Sequence, residues 1–208
     1  MSNLTNFQIF DLLNRPRPLW LVKINLSDTT LWMADFSDCN LSWADLTRSD
    51  LSWAIMLKTN LSNANLSLAN LFEVQLNFAL LRDANLTRAN LTRANLDKAS
   101  LPGATLVEAN LSRAILSRAN LNRCNLSGAI LPRADLSKAD LIEANLNSAN
   151  LSLTNLFETN LQGADLRGAN LEKADLTGAN LADANLTDAN LSGANMTDTI
   201  MPDENQKS

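Results

Sequence analysis

From Leu21 to Met201 every fifth residue is large and apolar, 37 positions in unbroken phase, and Leu fills 33 of them. The exceptions are Phe36, Met56, Met196 and Met201. Two residues earlier stands, as a rule, a small residue, Ala in 26 units, with Asn or Asp usually between the two. The unit reads Ala-Asn/Asp-Leu-x-x, as in Ala89-Asn90-Leu91-Thr92-Arg93. A period of five suits neither the 3.6 of an amphipathic helix nor the 3.5 of a coiled coil. The Ala-to-Leu spacing of two is that of a strand, so both side chains point one way and the residue between them the other. The last two residues must then turn the chain. A strand-turn unit that always turns the same way winds into a solenoid with Leu and Ala columns inside and Asn/Asp outside.

Turn chemistry agrees. With the large apolar residue as the unit centre, all six glycines lie two residues after a centre, and Pro102, Pro132 and Pro202 lie one after. Pro102-Gly103 is the signature of a type II turn. Arg or Lys in the glycine slot, as at Arg93 and Lys98, argues against a positive φ there. Two populations of turns are therefore predicted.

The run Ala89-Asn90-Leu91-Thr92-Arg93-Ala94-Asn95-Leu96-Asp97-Lys98 resembles the pentapeptide-repeat family, whose pattern is A(D/N)LXX, and the resemblance extends over roughly residues 19–201. It implies an all-β fold, a right-handed quadrilateral β-helix with four units per coil, and a bacterial, cyanobacterial-like source. Thirty-seven units then make about nine coils, a rod on the order of 43 Å long at roughly 4.8 Å per strand. Each buried Leu contributes ~1.5–3 kcal/mol. The expected organisation is a capping helix and connector over 1–18, the repeat domain over 19–202 and a polar tail over 203–208.

Composition narrows the chemistry. There is no His and no Tyr. This removes the usual general base, the commonest metal ligand and every Ser-His or Cys-His pairing. Carboxylate pairs such as Asp135 and Asp140 occupy the repeated Asn/Asp slot and belong to the pattern. No enzyme activity, cofactor, metal or small-molecule substrate is expected. Cys39 and Cys124 both fill the small inward slot, about 20 Å apart along the rod, too far for a disulfide; they read as buried thiols replacing Ala. The sequence carries no 18-residue apolar run and no secretory signal pattern. The cytoplasm is the expected compartment, and no membrane partner is expected.

The ends differ. Thr5 and Gln8 resemble a capping box. Leu4, Phe7, Phe10 and Leu13 follow one helical face, which Pro16 and Pro18 terminate, so residues 4–14 are predicted to form a short helix laid over the first coil. The C-terminal edge has no such helix. Met196, Ile200 and Met201 are expected at an open edge, covered by the tail or by a second copy in an end-to-end homodimer; otherwise the chain is a monomer.

Stacking by 20 sorts the outward positions into columns. One runs Met33, Trp53, Glu73, Arg93, Arg113, Arg133, Leu153, Lys173; its neighbour runs Asp38, Lys58, Phe78, Lys98, Arg118, Lys138, Glu158, Gly178. Residues 82–138 carry nine cations against four anions, whereas 139–208 carry three against eleven. Arg93, Lys98, Arg113, Arg118, Arg133 and Lys138 thus form either a solvated face or an anion-binding stripe for an acidic partner or nucleic acid. Trp32, Met33, Trp53, Phe72 and Phe78 cluster on the same faces, either as an interaction patch or packed on one another and on the N-terminal segment. The function expected is a non-catalytic, rigid scaffold or modulator that binds another protein. The alternative, suggested by the quinolone-resistance branch of the family, is a DNA mimic acting on a type II topoisomerase; the basic middle and the near absence of Phe at the centres oppose it.

Overall fold

The computed structural model describes residues 6–202. Helix α1 spans Asn6–Leu13. Ile9 is buried in the core, and Leu12 and Leu13 pack against it. Leu4 and Thr5, and with them the capping box, lie outside the described residues, as do the side chains of Phe7 and Phe10.

Beyond α1 the chain is wound in register 20. Parallel bridges join each residue of the Asn/Asp slot to the one 20 positions on, from Trp20↔Asn40 to Asn180↔Ile200. Each coil therefore has four five-residue sides. On the first side lie Leu21 and Leu41, on the second Leu26 and Leu46, on the third Leu31 and Leu51, and on the fourth Phe36 and Met56. The centres from Leu21 to Leu181 are buried, as are Ala34 to Ala184 in the small slot. Both cysteines are buried and free.

Backbone carbonyls accept four of the five N–H groups of a unit, and a side chain accepts the fifth. That of Leu91 donates to the carbonyl of Asn110 on the next coil (2.7 Å) and that of Arg93 to Ser112 (3.0 Å). The Asn90 N–H donates to Ala69 on the previous coil, and the Ala94 N–H closes the turn onto Leu91 (both 3.0 Å). The Thr92 N–H has no carbonyl to reach. The Asn90 side chain accepts it at 3.2 Å, and accepts the Thr92 hydroxyl as well. The Asn/Asp slot is thus an acceptor for the first turn residue. Its side chains are half-buried rather than fully outward, because they also ladder along the rod: Asn90 Nδ2 donates to Asn70, and Asn70 Nδ2 to Asp50.

The expected division of turns is wrong. All 30 described non-glycine residues in the glycine slot have a positive φ, 60° at Arg93 and 58° at Lys98, alongside 71° at Gly103. The turns share one pattern, a positive φ at the third residue, whatever occupies it. The register explains this. A left-handed third residue closes the turn, so that the fourth residue's N–H reaches the first residue's carbonyl, as Ala94 does Leu91, while the N–H groups of the first and third residues stay in line with carbonyls of the next coil. The side-chain penalty of about 1–2 kcal/mol is outweighed by the cost of leaving those N–H groups unpaired.

The same accounting explains the prolines. Pro102, Pro132 and Pro202 follow Ser100, Ile130 and Ile200, units whose slot holds neither Asn nor Asp. Proline has no N–H, so no side-chain acceptor is required there.

Candidate interaction surface

The third and fourth sides carry most of the aromatic residues found in the two variable turn positions. At the corner of the third side Trp32, Trp53 and Phe72 interlock edge to face. The Trp32 and Trp53 centroids lie 6.3 Å apart and those of Trp53 and Phe72 5.2 Å. Such contacts hold large rings rigidly. Trp53 remains 42% exposed and Trp32 52%, with Met33 exposed beside them. The aromatic residues therefore pack on one another without being covered. Phe72 is half-buried. On the fourth side Ile55, Leu57 and Phe78 are exposed and extend the apolar surface.

Glu73 links this surface to the cations. Its Oε2 accepts the indole N–H of Trp53 at 2.9 Å, and its Oε1 lies 3.1 Å from Arg93 Nε. Farther along, the cations fall into two groups. Arg118 meets Asp97 at 2.9 Å and Lys138 meets Glu158 at 3.4 Å. Burial works to raise the pKa of Asp97, but hydrogen bonds from the Ser117 hydroxyl and Arg118 outweigh it and hold the carboxyl below its usual value. Flanking Arg88 and Arg123 pair with Glu108 and Glu143. In contrast, Arg113 and Arg133 are exposed and have no ion pair among the described residues. Lys98 has none either and lies 5.1 Å above the Phe78 ring. Six described cations lack an ion pair: Lys23, Lys58, Arg82, Lys98, Arg113 and Arg133. Four of these stand on the third and fourth sides.

Register 20 brings Trp53, Arg93, Arg113 and Arg133 into one column and Phe78, Lys98, Arg118 and Lys138 into the next. Met196, Ile200 and Met201 are exposed at the last described coil, where Leu186 and Leu191 are only partly buried. Three further surface residues escaped the sequence reading. Trp20, 78% exposed, sits in an Asn/Asp slot on the first side with Trp43. Ile55 also sits in that slot, and Phe157 lies 5.9 Å from Lys138 Nζ. An aromatic or branched residue in the Asn/Asp slot was the signal available for the first two.

Among the described residues no three His, Cys, Asp or Glu side chains gather as metal ligands, and no helix is long and apolar enough to cross a membrane. The class of protein is thus a repeat solenoid whose distinguishing chemistry is confined to its outer corners. The Pentapeptide repeats family matches in eight overlapping stretches, residues 24–63, 34–71, 58–88, 69–106, 99–131, 119–156, 134–172 and 164–201. The chain belongs to this family.

No curated protein matches the chain. Among solved structures it is similar to HetL, a pentapeptide repeat protein involved in heterocyst differentiation regulation from the cyanobacterium Nostoc sp. strain PCC 7120, at 36% identity over 98% of each chain and a TM-score of 0.39. A trypsin-treated form of QnrB1, a plasmid-mediated fluoroquinolone resistance protein, matches at 17% identity over 84% of this chain and 82% of that one, with a TM-score of 0.50. This likeness concerns the fold alone. A pentapeptide repeat protein from the thylakoid lumen of Arabidopsis thaliana matches at 34% identity over 46% of this chain and 70% of that one, with a TM-score of 0.36.

Proposed function

We propose that this chain is a non-catalytic, rigid scaffold or modulator that binds another protein through the third and fourth sides of its solenoid. One observation carries the reading: the interlocked, exposed Trp32–Trp53–Phe72 cluster leads, through the Glu73–Arg93 pair, into a column whose next two cations, Arg113 and Arg133, have no ion pair among the described residues. Rigid aromatic anchors beside available charge are what interfaces use for affinity and orientation. In this reading the solenoid is a right-handed quadrilateral β-helix of about nine coils over 19–202, and α1 caps its first coil. The protein works in the cytoplasm without cofactor. The exposed Met196, Ile200 and Met201 are covered by the tail over 203–208 or by a second copy, so the chain is a monomer or an end-to-end dimer.

The test is affinity capture from the native host with the wild-type chain and with Trp53→Ala and Arg113→Glu variants that retain the wild-type melting temperature. Loss of the same partner from both variants supports the surface. Retention by both removes it. The DNA-mimic alternative has its own assay: supercoiling by a type II topoisomerase, with and without a quinolone, is expected to be unaffected by this chain.

A further inference from the structure

Resting on that reading, we infer that the partner presents an extended acidic segment laid along the rod, with an apolar anchor on the Trp53 surface and carboxylates over Arg113 and Arg133. The columns set the spacing. Arg113 is three coils from Trp53 and Arg133 four, so at roughly 4.8 Å per coil they lie about 14 Å and 19 Å along the axis. An extended chain advances about 3.3 Å per residue. The matching positions on such a chain are the anchor, the fourth residue from it and the sixth. These share one parity, so all three side chains face the rod while the intervening ones face water.

Charge selects the segment's chemistry. Arg93, nearest the anchor, is already matched by Glu73, so the segment needs no acid there. Arg113 and Arg133 have no ion pair among the described residues and are the groups that a partner's carboxylates would complete. A nucleic acid is disfavoured. Its phosphates want an uninterrupted row of uncompensated cations, whereas Glu73, Asp97 and Glu158 stand within this strip.

The test is selection from a displayed random peptide library on the full chain. Fluorescence anisotropy then follows with two labelled peptides, Phe-Ser-Thr-Ser-Glu-Ser-Glu and its reverse. Enriched sequences are expected to carry a large apolar residue with acids at the fourth and sixth positions from it, in one chain direction. One of the two peptides should bind, and at least about tenfold more weakly to an Arg113→Glu/Arg133→Glu variant and to Trp53→Ala, with further weakening by salt. Enriched sequences without acids, affinity unchanged by the charge reversal, or tighter binding of a single-stranded oligonucleotide at the same residues would each overturn the inference. A library that yields no binder overturns the extended segment but not the proposed function, because capture of a folded partner that depends on Trp53 and Arg113 would persist.

Discussion

The indole N–H of Trp53 lies 2.9 Å from Glu73 Oε2, one coil along the rod, and the other oxygen of that carboxylate meets Arg93 at 3.1 Å. One acid thus ties the aromatic cluster to the cation column. Trp53 also meets Trp32 and Phe72 edge to face, so its ring is held from both sides before any partner arrives. Preorganisation of this kind lowers the ordering cost of binding.

Replacing Glu73 by Ala removes the acceptor for Trp53 and frees Arg93. Both groups are partly exposed, so the expected loss of stability is small, about 0.5–1 kcal/mol. Tryptophan emission should shift with it, because the Trp53 indole exchanges a carboxylate for water. Thermal melts and emission spectra check the two effects together.

Ile115 interrupts the Asn/Asp ladder of the fourth side. Below it Asn95 donates to Gln75 at 3.4 Å, and above it Asn155 donates to Asp135 at 3.0 Å. Ile115→Asn should close the gap, accept the Ser117 N–H and remove an exposed apolar side chain, raising stability by about 0.5–1 kcal/mol. Ile130→Asn should gain less. Its turn residue is Pro132, which has no N–H to accept. Denaturant unfolding of the two variants side by side measures the difference.

Burial pushes the Cys124 thiol up to about 12 from an ordinary 9.0. The group's folded pKa is raised, so its contribution to stability is complete below about pH 9 and is lost as pH climbs towards 12. Cys124→Ser should flatten this alkaline decline. It should also keep near-native stability at neutral pH, within about 1 kcal/mol, because a hydroxyl can make the same bond to the Leu101 carbonyl that the thiol makes at 2.8 Å. Thr154 and Thr159 already bond the Leu131 and Leu136 carbonyls in this way. Unfolding followed across pH 8 to about 11 tests the prediction.

Reversing Arg113 and Arg133 to Glu touches only exposed side chains without ion pairs. Stability should move by no more than about ±0.5 kcal/mol per site. A large loss would mean that these cations hold the fold together.

The repeat made the buried columns legible from sequence: Leu and Ala two apart at a fixed period leave no other inward face. The register of 20 did not follow from that period. It came from the family resemblance, and the Asn40↔Asn60 pairing and its successors show it in the backbone. The turns were misread because Arg93 and Lys98 were judged by local φ preference, while the demand on them is set by bonds to the next coil. The Asn/Asp slot was read as mere outward polarity. Its role as an acceptor is visible in the sequence once Ser100, Ile130 and Ile200 are set beside the prolines that follow them. At the surface, column membership was readable. Which cations were paired was not, since Arg118 pairs with Asp97 on the neighbouring coil and Arg113 finds nothing comparable.

The most direct test of the binding surface is site-specific photo-crosslinking in extract of the native host. A benzophenone amino acid would replace Met33 or the exposed Leu153 on the third side, or Ser148 on the second. The account requires one protein adduct shared by the first two positions and absent from Ser148. Adducts of equal yield at all three positions, or at Ser148 alone, would contradict it.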